Sequence, residues 1–203
     1  VLKFFPTAKL GVGPVIENGC YYDFLLPRAL TPEDLKNIGH EMKKIIGRNL
    51  AFERQEMNSE EAKKYFADGK QPFKVELIND IERYGTTALE DIQRITHSEN
   101  THLKETMVSL YKTGTFIDLC RGGHVKNTQE LNADAFMVDK TSGAYWRGSV
   151  EREQLQRIYI LVFQKKEELD AFLRQREEAE KRDHKKLGPQ LDLFTFSDLV
   201  GAG

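Results

Sequence analysis

The sequence predicts an α+β fold in which helices pack on an antiparallel sheet and a long connecting helix follows. Three observations carry this. Short runs rich in Val, Ile, Tyr and Phe are separated by glycine-bearing turns, as in antiparallel hairpins. A capped amphipathic helix begins at Thr31, and Lys165 to Leu187 is dense in Glu, Lys, Arg, Ala and Leu, as a mostly solvated helix would be.

In chain order, Val1-Leu-Lys-Phe-Phe-Pro6 reads as the last turn of an apolar helix stopped by proline, and we expect the chain to be a piece of a longer protein. Lys9 to Phe24 places Gly11, Gly13, Pro14 and Gly19 among apolar residues and closes on Tyr21-Tyr22-Asp23-Phe24, which predicts a hairpin of short strands. Thr31 caps the next helix, Pro32 fits its first position, and Glu33 and Asp34 face the positive helix end. Leu35, Ile38, Met42, Ile45 and Ile46 recur at helical spacing up to Gly47. Asn58 to Phe66 predicts a short helix stopped at Gly69. Phe73 to Ile78 alternates and predicts a strand, with Lys74 on the face opposite Phe73 and Val75.

Asn79 to Met107 is polar, carries His97 and His102, and reads as a surface insertion. Val108 to Tyr111 and Thr115 to Leu119 predict strands around a Lys112-Thr-Gly114 turn. Ala135 to Val138 and Ala144 to Arg147 predict two more, with Thr141-Ser-Gly143 as their turn, and Leu155 to Phe163 another. The helix from Lys165 ends at Gly188-Pro189.

Thirty basic against thirty-two acidic residues leave the net charge near zero, so contact with nucleic acid would need a local patch. The two cysteines, Cys20 and Cys120, lie far apart and read as reduced thiols of a cytoplasmic protein. No apolar run approaches the roughly 20 residues of a membrane span.

One constellation carries chemistry. Asp118-Leu-Cys120-Arg121-Gly122-Gly123-His124 brings a carboxylate, a thiol, a guanidinium and an imidazole to the end of a strand. The two glycines remove bulk and permit positive φ, so a substrate can approach the backbone. A Cys-x-x-x-His pair suits half a zinc site, a nucleophile with its base, or a pocket wall; a small buried Cys beside a turn-capping His is the bland alternative. Tyr145 and Trp146 read as core aromatics and Arg147 as a turn residue, with RNA stacking as the other option. Lys181-Arg182 with His184, Lys185 and Lys186 reads as a complement to a helix dipole.

The ordered set Phe116-Ile-Asp-Leu-Cys-Arg-Gly-Gly-His-Val125, Ser142-Gly-Ala-Tyr-Trp-Arg-Gly148, Leu155-Gln-Arg-Ile-Tyr159, Glu177-Glu-Ala-Glu-Lys-Arg-Asp-His-Lys-Lys-Leu-Gly188 and Leu191-Asp-Leu-Phe194 resembles bacterial threonyl-tRNA synthetases. Gly11 to Gly19 with Tyr21-Tyr22-Asp23-Phe24 resembles the start of their editing region, the second additional domain shared with alanyl-tRNA synthetases. The resemblance implies an α+β editing domain over residues 1–163 with an insertion at 79–107, a connecting helix over 164–188, and the start of a catalytic domain at 189–203. It implies hydrolysis of seryl-tRNA made in error. Lys74, Asp118, Cys120 and His124 would be catalytic, and Tyr22, Arg121, Gly122 and Gly123 would bind substrate. The partner would be the aminoacylated 3′ end of a tRNA, and the editing part would need no metal. ATP, Mg and Zn, and homodimer contacts, would belong to a catalytic region outside the chain.

Three departures accompany the resemblance. The family's His-x-x-x-His motif is expected before Val1. Gly122-Gly123-His124 stands where the family has Gly-Pro-His, and Cys20 where it tends to have Phe. An alternative within the same fold is a zinc-dependent alanyl-tRNA editing protein, with metal on Cys120, His124 and two more histidines; separately, His97 and His102 would complete a Cys-His₃ zinc site if the 79–107 excursion folded over Cys120 and His124. A non-catalytic tRNA-binding module is the other alternative.

Overall fold

A computed structural model describes residues 1–95 and 106–182, together with 196–197 and 201–202. His97, His102, His184 and the Gly188-Pro189 helix stop lie outside the described residues.

Among the described residues, a five-stranded sheet, a three-stranded sheet, a two-stranded pair and five α-helices make an α+β fold, as the sequence predicts. Strands β1 (Lys9–Leu10), β2 (Val15–Ile16) and β3 (Gly19–Leu25) form the expected hairpin region, with β1 and β2 both pairing β3. Helix α1 (Pro32–Ile46) starts as expected: Thr31 Oγ1 accepts from the Asp34 amide, and the Asp34 carboxylate accepts from Thr31 N–H in return. Strand β4 (Glu53–Asn58) runs into α2 (Ser59–Asp68), which Asn58 caps.

The predicted strand at Phe73–Ile78 is instead the start of helix α3 (Pro72–Tyr84). Its buried residues are Phe73, Lys74, Leu77 and Ile78, a helical stripe, and Pro72 occupies the first turn. Left-handed Gly85 ends the helix by donating its N–H to Ile81 O. Residues 79–84 therefore belong to a core helix, with Ile81 packed against Ala62, Phe66 and Ile78. A short α4 (Leu89–Ile95) follows.

Strands β5 (Met107–Thr113) and β6 (Phe116–Leu119) form the expected hairpin and, with β4, a three-stranded sheet. The two strands predicted between Ala135 and Arg147 are one, β7 (Phe136–Tyr145), whose register with β8 (Gln154–Val162) shifts between Val138 and Thr141. Gly143 is not at a turn: it lies within β7, opposite Gln156 of β8. Strands β1, β3, β8 and β7 lie side by side in the larger sheet, with β2 on β3.

Helix α5 (Lys166–Lys181) packs Leu169 inward and places Arg176 2.8 Å from Asp139 of β7. Lys181 and Arg182 pair with Glu177 and Glu178 one turn back. Strands β9 (Phe196–Ser197) and β10 (Gly201–Ala202) pair antiparallel. Among the described residues no helix is long and apolar enough to cross a membrane.

Two cores frame the site. Phe73, Leu77, Trp146 and Leu155 join α3 to the larger sheet, while Ala62, Phe66, Ile78, Val108 and Leu110 join α2 and α3 to the smaller one. Helix α3 contributes to both, so its first turn stands between the sheets.

Candidate active site

Three of the predicted residues meet at that junction, one from each element. Tyr22 comes from β3, Lys74 from the first turn of α3, and Asp118 from β6. Lys74 Nζ lies 2.7 Å from Asp118 Oδ1 and donates to Tyr22 Oη at 2.9 Å. Tyr22 Oη donates in turn to Asp118 Oδ2, and the Leu119 amide donates to Asp118 Oδ1 at 2.8 Å. The Lys74 side chain is only 3% exposed and that of Asp118 13%, and Lys74 shares a buried helix stripe with Phe73 rather than lying on the opposite face of a strand. Burying a lone ammonium would cost several kcal/mol; here a carboxylate and a phenol satisfy it.

Tyr22 packs against the loop between β1 and β2. Its ring lies over Gly13, where a Cβ would come within 2.4 Å of Tyr22 Cδ2. The glycine therefore leaves the space that the ring fills. Burial, followed by the charge and hydrogen bonding of Asp118, pushes the Tyr22 phenol well above its usual range, so it stays protonated and keeps its donor.

Cys120 continues the same side of β6, two residues beyond Asp118. Its N–H donates to Ser109 O at 3.1 Å, and Ser109 Oγ donates to Cys120 O at 2.6 Å, which ties the end of β6 to β5. The chain then turns through Gly122 and Gly123, both left-handed at φ 127° and 87°, and brings His124 back so that Nε2 lies 3.8 Å from Cys120 Sγ. Burial lowers the His124 pKa below its ordinary value, which favours neutral imidazole near pH 7. Arg121, on the other side of the loop, donates from Nη2 to Thr86 Oγ1 at 3.2 Å.

Aromatic neighbours complete the site. Tyr111 stands directly opposite Asp118 in the β5–β6 register, hence on the same face, and its ring centroid is 4.1 Å from that of His124. Phe52 stacks on His124 at 5.2 Å and 16°. Sequence reasoning named neither residue. Trp146 is buried as expected, donating Nε1–H to Glu76 at 3.0 Å, whereas Tyr145 is 43% exposed and not a core ring. Arg147, at φ 54°, pairs with Glu76 and Asp80 of α3.

Among the described residues, no three His, Cys, Asp or Glu side chains converge as metal ligands would. A buried proton-donor network beside a neutral imidazole and a thiol suits proton transfer to and from a bound substrate.

Residues 108–159, from β5 to β8, match the threonyl and alanyl tRNA synthetase second additional domain. The whole chain is 45% identical to a threonine–tRNA ligase of Dehalococcoides mccartyi, 43% to one of Gloeobacter violaceus and 44% to one of Geobacillus sp.. Over its whole length it is similar to a segment of these threonine–tRNA ligases. The chain spans 28–30% of the length of these relatives. Asp118, Cys120, Arg121, Gly122, Gly123 and His124 all fall within the second additional domain, while Tyr22 and Lys74 reach it from the preceding elements.

Proposed function

We propose that this chain is the editing part of a threonine–tRNA ligase and hydrolyses the aminoacyl ester of tRNA for threonine wrongly charged with serine. The observation that carries this reading is the convergence of Tyr22, Lys74 and Asp118 beside Cys120 and His124 in a second additional domain. The need is physical: serine lacks one methyl, worth about 1–3 kcal/mol of discrimination, so a synthetic site alone admits it and a second, hydrolytic site must remove it.

The ester is cleaved by water. Neutral His124 accepts a proton as water adds to the carbonyl carbon, then returns it to the ribose oxygen as the C–O bond breaks, leaving serine and free tRNA. The Tyr22 hydroxyl and the strand end at Asp118 fix the polar floor of the pocket. Lys74, enclosed and already paired, balances Asp118 and holds Tyr22; it acts through them rather than on substrate. Cys120 lines the wall beside His124, and Gly122 and Gly123 let the 3′ end of tRNA approach the backbone. Arg121 supports the loop at Thr86, within reach of phosphate.

The complete protein, on this reading, joins threonine to its tRNA with ATP, Mg and Zn in another domain, works as a homodimer, and resides in the cytoplasm. The test uses the full-length enzyme. Cys120→Ala and His124→Ala should slow seryl-tRNA hydrolysis while leaving threonylation intact, because the reactions use separate sites. Equal loss of both activities at unchanged melting temperature would overturn the proposal.

A further inference from the structure

His124 sits on a loop that its own backbone restrains poorly. Gly122 and Gly123 are consecutive and left-handed, and glycine loses more conformational freedom on ordering than any other residue. Among the described residues, the only polar contact of the imidazole is Cys120 Sγ at 3.8 Å, too weak to fix the ring. Something else must hold it.

The loop is pinned at both ends. Before the glycines, the Cys120–Ser109 hydrogen bonds tie it to β5. After His124, Phe52 N–H donates to Lys126 O at 3.0 Å, Thr128 N–H donates to Leu50 O at 2.8 Å, and Ala51 bridges Asn127. These contacts deliver Phe52 to one face of the imidazole. Tyr111 reaches the imidazole from the strand opposite Asp118, its ring centroid 4.1 Å from that of His124, and its hydroxyl would lie 3.0 Å from a Cβ on Gly122, so it also bears on the loop between the pins.

We infer that Phe52 and Tyr111 are positioning residues of this site, two rings whose contacts hold the His124 imidazole with Nε2 toward Cys120. The inference rests on the reading of His124 as the proton carrier. Among the described residues, the titratable groups in contact with it are the Cys120 thiol and the Tyr111 phenol; Phe52 brings none, and the Asp118 carboxylate opposite Tyr111 is held by Lys74 and Tyr22.

Two measurements test this positioning. In the first, the His124 ring protons are followed through a pH titration by NMR, assigned by their loss in His124→Gln. Phe52→Ala and Tyr111→Ala should raise the His124 pKa toward its ordinary value, while Tyr111→Phe and Phe52→Tyr, which keep the rings, should not. In the second, seryl-tRNA hydrolysis by the full-length enzyme should fall about tenfold or more in kcat for the two alanine variants with little change in KM. The acid limb of the pH profile should move to higher pH, because an imidazole with a higher pKa is neutral only at higher pH. A merely structural defect lowers activity without moving that limb. An unmoved His124 pKa in both alanine variants overturns the positioning role, as does a loss in Tyr111→Phe equal to that in Tyr111→Ala. If wild-type and His124→Ala enzymes hydrolyse seryl-tRNA at the same rate, the functional reading fails, whatever the NMR shows of the two rings.

Discussion

Lys74 and Asp118 meet at 2.7 Å although one belongs to a helix and the other to a strand of a separate hairpin. Because both are largely buried, removing one strands the other. Lys74→Ala should therefore lower stability by about 3–5 kcal/mol as well as slow hydrolysis. Lys74→Met combined with Asp118→Leu should recover part of the stability and none of the activity. Urea unfolding of wild type, Lys74→Met, Asp118→Leu and the double variant decides this, and a strictly additive double variant would mean that the pair is not coupled.

The Gly13–Tyr22 contact gives a test of position without removing any polar group. Gly13→Ala puts a methyl where the Tyr22 ring now lies, so the ring must shift and its hydroxyl leave Lys74 and Asp118. Overpacking of this kind costs about 1–3 kcal/mol. We expect hydrolysis to fall beyond what the melting shift explains, whereas a variant that retains full activity would place the triad outside the reaction.

Tyr22 also predicts a pH dependence of stability. Its folded pKa is raised well above the ordinary phenol value by burial and then by Asp118. As pH rises through about 10, the unfolded chain ionises first and draws the equilibrium toward unfolding. The stability contributed by the protonated phenol is thus complete below pH 10 and lost above it. Denaturation at pH 8 and 10.5 should show a smaller drop for Tyr22→Phe than for wild type; identical drops would contradict the buried donor.

Much of this arrangement was legible in the sequence, and the reasons are local. The Thr31 cap, Pro32 and the acidic first turn specify α1 from neighbours alone. The short turn at Gly114 sets the β5–β6 register, which places Tyr111 opposite Asp118, so that partner was available to sequence reasoning and went unused. Phe73 to Ile78 misled because six residues alternating in polarity fit a strand, while burial of Lys74 beside Phe73 depends on Asp118 and Tyr22, far away in the chain. Pro72 and the Gly85 cap were the local signals for a helix. Gly143 misled in the same way, since it lies inside β7, paired with Gln156, rather than at a turn. Phe52 left no signal at all, since its place against His124 follows from the pairing of residues 50–52 with 126–128.

The last prediction concerns what keeps α3, and with it Lys74, in register with the larger sheet. Glu76 accepts from Trp146 Nε1 at 3.0 Å and from Arg152 Nη2 at 2.8 Å, and its Oε1 lies 2.7 Å from Arg147 Nε. Burial alone would raise its pKa, but hydrogen bonds from Arg152 and Trp146, with the charge of Arg147, leave it lowered overall. Glu76 therefore contributes stability that is present above the ordinary glutamate pKa of about 4.3 and disappears as pH falls through its lowered folded value. Glu76→Gln keeps the shape and removes the charge, so it should destabilise at pH 7 by about 1–3 kcal/mol and lose most of that difference at acid pH. Because Glu76 lies two residues from Lys74 on α3, we also expect slower hydrolysis at pH 7, with threonylation in the full-length enzyme unchanged. A destabilisation equally large at acid and neutral pH would show that packing around Trp146, and not the carboxylate, anchors the helix.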